Sequence, residues 1–446
     1  MLRWAPEIYS TGEDDATAAE PEGHLLRAWL MVSDGHYLVV LCIDLDLRVA
    51  SEPACTILAH YDLGSQLGKS SFIDFACNHE YAIILQIAGI QASIISLTRP
   101  ERHDVANIKY PDNRGLSQSP NGKCLSILTR SEGQDLVVVF TMTQMGSIKS
   151  STFTPLTHDA QGIMSCPEGN PLLCVWDAAA FGLRVLFFTA NGHHLKQLDI
   201  TAESMRLFQI LPGFDGLGIS KVDWLLCGGK AVLALFDSSG HLFLRRQLGD
   251  EKLLHSVATI NHPAVIDGAS YDVWQESQDG DHIFSRHFAS FQARNIQGSA
   301  GADQMAVNAT CQLVASKDSS RPWTLWIWDA LTTQQPLAVV SFRDRIRQLL
   351  WHPMDPDLLV ILTASKEPCF YLWHMKKEQP FVSNALNMNG RSEMCDCDAT
   401  WLTGYLNGLP LLFLSWPRHY DAGILNIDQD IVIFKGILRQ DHCHNG

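Results

Sequence analysis

The amino-acid sequence predicts an all-β fold in which one short unit recurs from end to end. Each copy has an apolar run, a turn-forming pair, a second apolar run, a polar break and a further strand that often ends in Trp. The clearest copy is Ile346 to His374, where three short apolar segments alternate with polar turns. Copies follow one another at intervals of roughly 45 residues over most of the chain, which is the length of a four-stranded blade. A repeat of this length predicts a β-propeller.

The number of units follows from the turn between the first two strands of each copy. Eight such turns can be placed, and they begin at Asp34, Asn78, Asn121, Gly169, Gly228, Asn308, Asp355 and Asn407. A single blade leaves both of its faces uncovered, so the blades must close on one another to be stable. The sequence therefore predicts a single closed ring of seven or eight four-stranded blades, spanning residues 24–438.

Two stretches show how a blade ends. Trp323 to Asp329 closes a strand with a Trp-Asp pair, and after a turn Pro336 to Phe342 supplies an outer strand. This closing pair is typical of WD repeats. The stretch from Asp421 to Leu438 holds two further apolar runs, which we expect to complete the last blade.

The repeat spacing fails between the turns at Gly228 and Asn308, which lie nearly twice the usual interval apart. A degenerate blade or an insertion would each explain the gap. The segment from Gln275 to Asp303 is rich in Gln, Asp, Ser and Gly, so we expect residues 267–303 to be an insertion that forms a surface loop. Residues 1–23 are expected to hold a short strand and an acidic, flexible lead-in, and residues 439–446 a flexible tail.

Composition limits the classes of protein that fit this chain. Hydrophobic residues make up 46% and charged residues 18%, which suits a compact body with a large core. The net charge of −15 repels phosphate backbones, so we expect no nucleic acid as the main ligand. The sequence has no apolar run long enough to span a membrane and no basic-then-apolar leader. The 12 Cys are scattered singly, as expected for buried free thiols of a cytosolic or nuclear protein.

Several stretches occur in the same order as in one known family. They are Ile108 to Pro111, Asp159 to Ile163, Leu172 to Asp177, Phe187 to Leu195, Gly218 to Trp224, His262 to Ile266, Trp326 to Asp329 and Tyr371 to Trp373. Their order and spacing over residues 105–375 resemble the family of WD repeat-containing protein 8, a centrosome and spindle-pole WD-repeat protein. The first blade departs from the family pattern, because residues 31–35 read Met-Val-Ser-Asp-Gly in place of Phe-Ser-Pro-Asp-Gly.

The resemblance implies a protein-interaction scaffold in the cytoplasm, at the microtubule organising centre. Members of the family partner a coiled-coil anchoring protein at centrosomes or spindle pole bodies. In yeasts they also help to recruit a minus-end-directed kinesin. The implied role is to anchor microtubule minus ends and to support assembly of the mitotic spindle, as a monomeric propeller within a complex.

Three pairs of residues are candidate partner contacts. They are Trp176 and Asp177, His262 and Pro263, and Met388 and Met394. The first pair recurs in the family, although a Trp at that position can equally pack between blades. The second pair stands at the start of the insertion, where the proline can simply end a strand. The third pair lies in a connection outside the blade period, which is either a tolerated insertion or a source of adaptable apolar contacts.

The sequence offers no recognisable catalytic, cofactor or metal site. Cys395 with Cys397, and residues 442–444, contain metal-ligand residue types, but neither group has the spacing or the matching pair of a structural zinc site. The sequence shows no Gly-rich phosphate loop and no nucleophile elbow. We therefore expect no enzyme activity and no cofactor.

Two other classes of propeller are alternatives. A substrate receptor of a ubiquitin ligase would need Arg two residues after a Trp-Asp pair, whereas residues 328–331 read Trp-Asp-Ala-Leu. A phosphoinositide-binding autophagy propeller carries Phe-Arg-Arg-Gly, and residues 244–247 read Leu-Arg-Arg-Gln. The negative charge of the chain disfavours a membrane surface.

Overall fold

β-Strands form nearly all of the regular structure in the computed structural model of this protein. The structure describes residues 2–9, 25–33, 37–46, 54–62, 70–86, 90–119, 121–166, 172–178, 181, 184–199, 219–227, 230–237, 242–246, 259–260, 262–263, 265–279, 281–292, 302–310, 312–329, 335–367, 369–377, 379–383, 397–406, 409–416, 419–428 and 431–441. The helix described over its full length is a 3₁₀ turn, Asn113–Gly115. Within the described ranges, then, no helix has the length and apolar character to cross a membrane.

Eight sheets follow one another along the described part of the chain, and each contains four consecutive antiparallel strands. Blades 1 to 4 are β1–β4 (Leu2–Tyr9, Leu25–Ser33, Tyr37–Asp46, Ala54–Asp62), β5–β8 (Ser70–Ala76, Tyr81–Gln86, Gln91–Ser96, Arg102–Ala106), β9–β12 (Leu116–Gln118, Cys124–Ser131, Gln134–Met142, Ile148–Phe153) and β13–β16 (Ala160–Ser165, Leu172–Asp177, Arg184–Thr189, His194–Asp199). Blade 5 is β17–β20 (Ile219–Cys227, Lys230–Asp237, Leu242–Arg246, Thr259–Ile260).

The insertion and the last three blades follow. The insertion holds β21–β24 (Val265–Asp267, Asp272–Glu276, Phe284–Arg286, Ser290–Gln292). Blades 6 to 8 are β25–β28 (Ala302–Val307, Leu313–Asp318, Arg321–Asp329, Ala338–Ser341), β29–β32 (Ile346–Trp351, Leu358–Thr363, Phe370–His374, Phe381–Ser383) and β33–β36 (Asp398–Leu406, Leu409–Ser415, His419–Asp428, Ile431–Asp441). The predicted all-β class and the four-stranded blade are confirmed, and the described residues give eight blades.

The apolar core lies between neighbouring blades. Separate buried clusters join blade 1 to 2, 2 to 3, 3 to 4, 6 to 7 and 7 to 8. Middle strands are continuous apolar runs because both of their faces are covered, and all six residues of β30 are buried. β1, the first strand of blade 1, also contacts β33, the first strand of blade 8. Closure of the blades into one ring stays a prediction.

The two ends of the chain differ from the predicted boundaries. Residues 2–9 form β1, which pairs with β2, so blade 1 begins before residue 24. At the other end β36 runs to Asp441, beyond the expected boundary at residue 438. The acidic lead-in at residues 11–23 and the tail from residue 442 onward lie outside the described residues.

The segment predicted as a surface loop, residues 267–303, instead contains strands. β21 pairs with β24, and β22 forms an antiparallel hairpin with β23. β22 also pairs in parallel with β28, the outer strand of blade 6, so the described sheet of that blade has six strands. The loop expectation is thereby corrected. The polar segment becomes a strand because its backbone groups find partners on the open edge of the blade.

Candidate functional site

The insertion begins at a fixed point inside blade 6. His262 Nε2 lies 2.8 Å from Ser316 Oγ on β26, and Trp328 Nε1 donates to the same oxygen over 2.7 Å. The His262 ring packs against Trp326, with the ring centroids 4.5 Å apart. All of these side chains are buried. The middle strands of the blade therefore hold His262 in place.

Arg321 fixes the backbone at the same point. Its guanidinium donates to the carbonyl oxygen of His262 over 3.0 Å and to that of Pro263. Asp318 Oδ2 lies 2.8 Å from Arg321 Nη2. Burial opposes ionisation of Asp318, but hydrogen bonds and the charge of Arg321 outweigh it and lower its pKa. The pair that the sequence singled out thus anchors the insertion, and direct partner contact through it stays a prediction.

The β22–β23 hairpin buries aromatic side chains between blades 6 and 7. Trp274 on β22 and Phe284 on β23 belong to the buried cluster that joins these blades. The Phe284 ring lies edge-on to Phe342 at 5.8 Å and to Tyr371 at 5.9 Å between centroids. Such aromatic pairs contribute about 0.5–1.5 kcal/mol each beyond the area that they bury. The hairpin is therefore part of the core.

A polar cluster beside these rings joins the hairpin to blade 7. Glu276 Oε1 accepts from Tyr371 OH over 2.5 Å and lies 2.9 Å from His282 Nδ1. Glu276 Oε2 accepts from the backbone N–H of Arg343 over 2.8 Å. His282 Nε2 lies 2.5 Å from Glu367 Oε2, and Arg343 Nη2 donates to Glu367 Oε1 over 3.2 Å. We term these five residues the blade 6–7 polar cluster.

Burial and hydrogen bonding determine the charges in this cluster. Burial and the contact with Glu276 raise the pKa of Tyr371 far above its usual range, so its hydroxyl stays a neutral donor. The hydrogen bond from His282 lowers the pKa of Glu367 against the effect of burial, and Arg343 adds to this. His282 thus stands between two carboxylates, and an imidazole can donate from both nitrogens only as an imidazolium.

Two groups of described side chains have the ligand types and the closeness that a cation needs. One contains His282, Glu367 and Cys369, and the other contains Asp355, Asp357 and His374. The ligand atoms within each group lie within 4.8 Å of one another. Sequence reasoning missed the first group because no spacing rule connects its members across two separate elements.

Comparison with known proteins finds WD-repeat relatives at low sequence identity. No family model matches the chain. The chain is 21% identical over 302 residues to mouse (Mus musculus) WD repeat-containing protein WRAP73, covering 60% of each protein. It is also 21% identical over 307 residues to an uncharacterized WD repeat-containing protein of Schizosaccharomyces pombe, covering 65% of this chain and 59% of that protein. The chain is a divergent WD-repeat protein.

The match to these relatives is partial in length. The chain spans about 60% of the curated relatives that it matches. Among solved structures, Saccharomyces cerevisiae Sqt1 matches with a TM-score of 0.49 at 10% identity, over 88% of this chain and 90% of that chain. The Dos1 propeller matches with a TM-score of 0.47 at 10% identity, over 85% and 86% of the two chains. The WD-repeat assignment rests on the curated relatives and on the blades themselves.

Trp176 and Asp177 lie inside blade 4 of the WD-repeat protein. Asp177 is fully buried, and it accepts from the backbone N–H of Asp159 over 2.7 Å and from Arg184 Nη1 over 3.2 Å. Trp176 is buried with its ring against Gly162, where any Cβ would collide with the indole. This placement favours the packing role over direct contact with a partner.

The remaining residues that the sequence singled out are only partly described. Met388 and Met394 lie outside the described residues, as do Cys395 and residues 442–444. Cys397 is buried as a free thiol. Among the cysteines whose side chains the structure describes, six are free and buried, which agrees with the expectation of buried thiols.

The insertion also exposes large apolar side chains that the sequence did not single out. Ile283 is 61% exposed and Phe288 is 69% exposed. The Arg286 guanidinium lies 5.2 Å from the centroid of the Phe288 ring and 6.0 Å from that of Trp274. Aromatic side chains and arginine are enriched where proteins bind one another. We term Ile283, Arg286 and Phe288 the insertion surface.

Proposed function

We propose that this WD-repeat protein is a non-catalytic scaffold at a microtubule organising centre. There it would join a coiled-coil anchoring protein to a minus-end-directed kinesin. The WD-repeat relationship supports a protein-interaction scaffold. The order of motifs over residues 105–375 supports the finer assignment to the spindle pole or centrosome.

The observation that carries the proposal is the insertion, which the fold presents as a fixed surface. Its start is held by Ser316 and Arg321, and β22 extends the sheet of blade 6. Its aromatic side chains pack in the core between blades 6 and 7. A surface that is ordered beforehand loses less conformational entropy when a partner binds. We therefore assign partner contact to the insertion surface.

The charge of the chain limits which partners fit. A net charge of −15 disfavours direct contact with the acidic surface of a microtubule. An amphipathic helix of a coiled-coil protein fits better, since it can set apolar side chains against Ile283 and Phe288. Basic positions on that helix would complement the acidic propeller.

Imaging tests the location. The chain, fluorescently tagged at its own locus, is followed beside a spindle-pole marker through mitosis. Discrete co-localisation is the expected result. A diffuse, vacuolar or autophagosomal signal would contradict the pole assignment and would favour the ligase or lipid-binding alternatives.

A matched pair of variants tests the surface. Ile283→Ser combined with Phe288→Ser should reduce the signal at the pole several-fold without lowering the amount of protein. Met145→Ser combined with Leu156→Ser is the control, because these apolar side chains are also exposed but lie away from the insertion. Loss of signal in both double variants, or in neither, would reject the insertion surface as the contact.

A further inference from the structure

Three metal-binding side chains meet where the insertion touches blade 7. The imidazole of His282, the carboxylate of Glu367 and the thiol of Cys369 place their ligand atoms within 4.8 Å of one another. His282 Nε2 lies 2.5 Å from Glu367 Oε2 and 3.8 Å from Cys369 Sγ. His282 comes from the insertion, and the other two come from the turn between β30 and β31. The group therefore bridges two elements of the fold.

The imidazole of His282 is held in the orientation that a metal ligand needs. Glu276 Oε1 lies 2.9 Å from Nδ1, and Tyr371 OH lies 3.0 Å from it. The side chain of Glu276 has no exposed surface. In protein metal sites the ring nitrogen that does not bind the ion usually donates to a carboxylate or carbonyl in this way. Nε2 is therefore directed at Glu367 and Cys369.

We infer that His282, Glu367 and Cys369 bind a divalent cation of the zinc class, with Glu276 as the residue that orients the imidazole. Imidazole, carboxylate and thiolate are the ligand types that zinc takes, and three protein ligands leave a fourth position open. Ligands about 2.0–2.3 Å from a tetrahedral zinc ion lie roughly 3.3–3.6 Å apart. The separation of 3.8 Å between Nε2 and Sγ is close to this. The Glu367 side chain is 47% exposed and has room to withdraw from Nε2.

The charge around Cys369 also favours a cation. The carboxylates of Glu367 and Glu276 both act electrostatically on the Cys369 thiol. The same two carboxylates would stabilise a dication. When the ion binds, a sulfur–metal bond replaces the S–H bond and the proton passes to solvent, so no oxidant or reductant is required.

A bound ion would tie the insertion to blade 7. The competing interpretation of the same contacts is an imidazolium form of His282 that bridges two carboxylates without a metal. The two interpretations differ in the role of Cys369. Only in the metal site does the sulfur of Cys369 form a bond to the bound ion.

Titration of the metal-free full chain with Co²⁺ and with Zn²⁺ tests the site. We expect one tightly bound ion per chain and, with Co²⁺, a thiolate-to-metal absorption band. Cys369→Ser should abolish that band, and Glu367→Gln should weaken binding more than about tenfold. Cys124→Ser is the matched control, since both cysteines are 4% exposed, and it should leave binding unchanged.

Glu367→Gln keeps the test decisive even if Cys369→Ser does not fold, because the Glu367 side chain reaches solvent. Absence of stoichiometric uptake would overturn the site and leave the imidazolium bridge. Uptake that survives Cys369→Ser, but is lost when His442, Cys443 and His444 are replaced, would assign the ion to the tail instead. Failure of metal binding would not affect the proposed scaffold, which rests on the insertion surface.

Discussion

Buried charged side chains occur at two junctions, between blades 3 and 4 and between blades 6 and 7. The two junctions differ in how many cations neutralise their carboxylates. At the first junction Lys109 Nζ lies 2.8 Å from Asp135 Oδ1 and 2.8 Å from Asp159 Oδ1. Arg130 Nη1 lies 2.7 Å from the same oxygen of Asp159. Two cations therefore balance two carboxylates, and all four residues belong to the blades or to the links beside them.

At the second junction Glu276 and Glu367 share one permanent cation, Arg343, whose Nε also lies 3.5 Å from Asp344 Oδ2. Arg343 contacts Glu367 through its guanidinium and Glu276 only through its backbone N–H. His282 lies between these two carboxylates, with Nδ1 2.9 Å from Glu276 Oε1 and Nε2 2.5 Å from Glu367 Oε2. The first junction is therefore electrostatically balanced by residues of the blades and of the links beside them. The second has fewer permanent cations than carboxylates, and it is the one that holds an insertion.

The largest expected effect lies at the junction of blades 3 and 4. Lys109→Ala should lower the free energy of unfolding by about 3–5 kcal/mol, because it leaves the buried Asp135 carboxylate without its main cation. Lys376→Ala is the control, since Lys376 is 77% exposed in its pair with Asp357 whereas Lys109 is 8% exposed. The Lys376→Ala variant should lose less than about 1 kcal/mol of unfolding free energy. Denaturant unfolding measures both, and equal losses would remove the contrast between buried and exposed pairs.

An intermediate effect is expected where the insertion begins. Ser316→Ala removes the oxygen that His262 and Trp328 share, so buried ring nitrogens lose their partner at a cost of about 1–3 kcal/mol. Limited proteolysis should also become faster within residues 264–301. Ser126→Ala is the control, because Ser126 is equally buried and its hydroxyl has no hydrogen-bond partner. If the two variants unfold alike, Ser316 does not anchor the insertion.

The blades could be predicted from the sequence because their signal is local. A middle strand such as β30 is an apolar run bounded by polar turns, and that pattern is visible without knowledge of its neighbours. The two runs expected within residues 421–438 correspond to β35 and β36. Seven of the eight turns found in the sequence fall between the first and second strands of blades 2 to 8. The turn at Asp34 instead falls between β2 and β3, the second and third strands of blade 1, because the sequence pattern did not count β1 as part of that blade.

The candidate site could not be predicted, because contacts between distant residues create it. β22 reads Asp-Val-Trp-Gln-Glu and becomes a strand by pairing with β28, far along the chain. His282 and Glu367 are 85 residues apart, so no spacing rule connects them. Trp176 and Asp177 gave a clear local signal, and both side chains are buried; partner contact through them stays a prediction.

The smallest expected effect concerns acid stability at the junction of blades 3 and 4. Burial opposes ionisation of Asp159, but hydrogen bonds and charges of Lys109 and Arg130 outweigh it and lower the pKa of its carboxyl. A carboxyl whose pKa is lower in the folded state contributes stability that is present above its unfolded pKa, about 3.9. That stability is lost as the pH falls through the folded value.

Asp159→Asn should therefore flatten the loss of stability below about pH 4. The difference in unfolding free energy between the two proteins should stay under about 1 kcal/mol, because the Asp159 side chain is about one-third exposed. Thermal unfolding of both proteins from pH 7 to pH 3 measures it. Parallel curves for the two proteins would contradict the expected role of Asp159.

Hydrogen exchange of the β22–β23 hairpin measures whether the insertion is docked on blade 7. Tyr371 OH donates to Glu276 Oε1 over 2.5 Å, so Tyr371→Phe removes a link to blade 7 while keeping the ring in the core. We predict that hairpin amides in the wild type are protected like those of β31, and that they lose protection in the variant while β10 and β11 do not. Hairpin amides that exchange at free-peptide rates in the wild type would contradict docking on blade 7, because the insertion would then be an undocked loop.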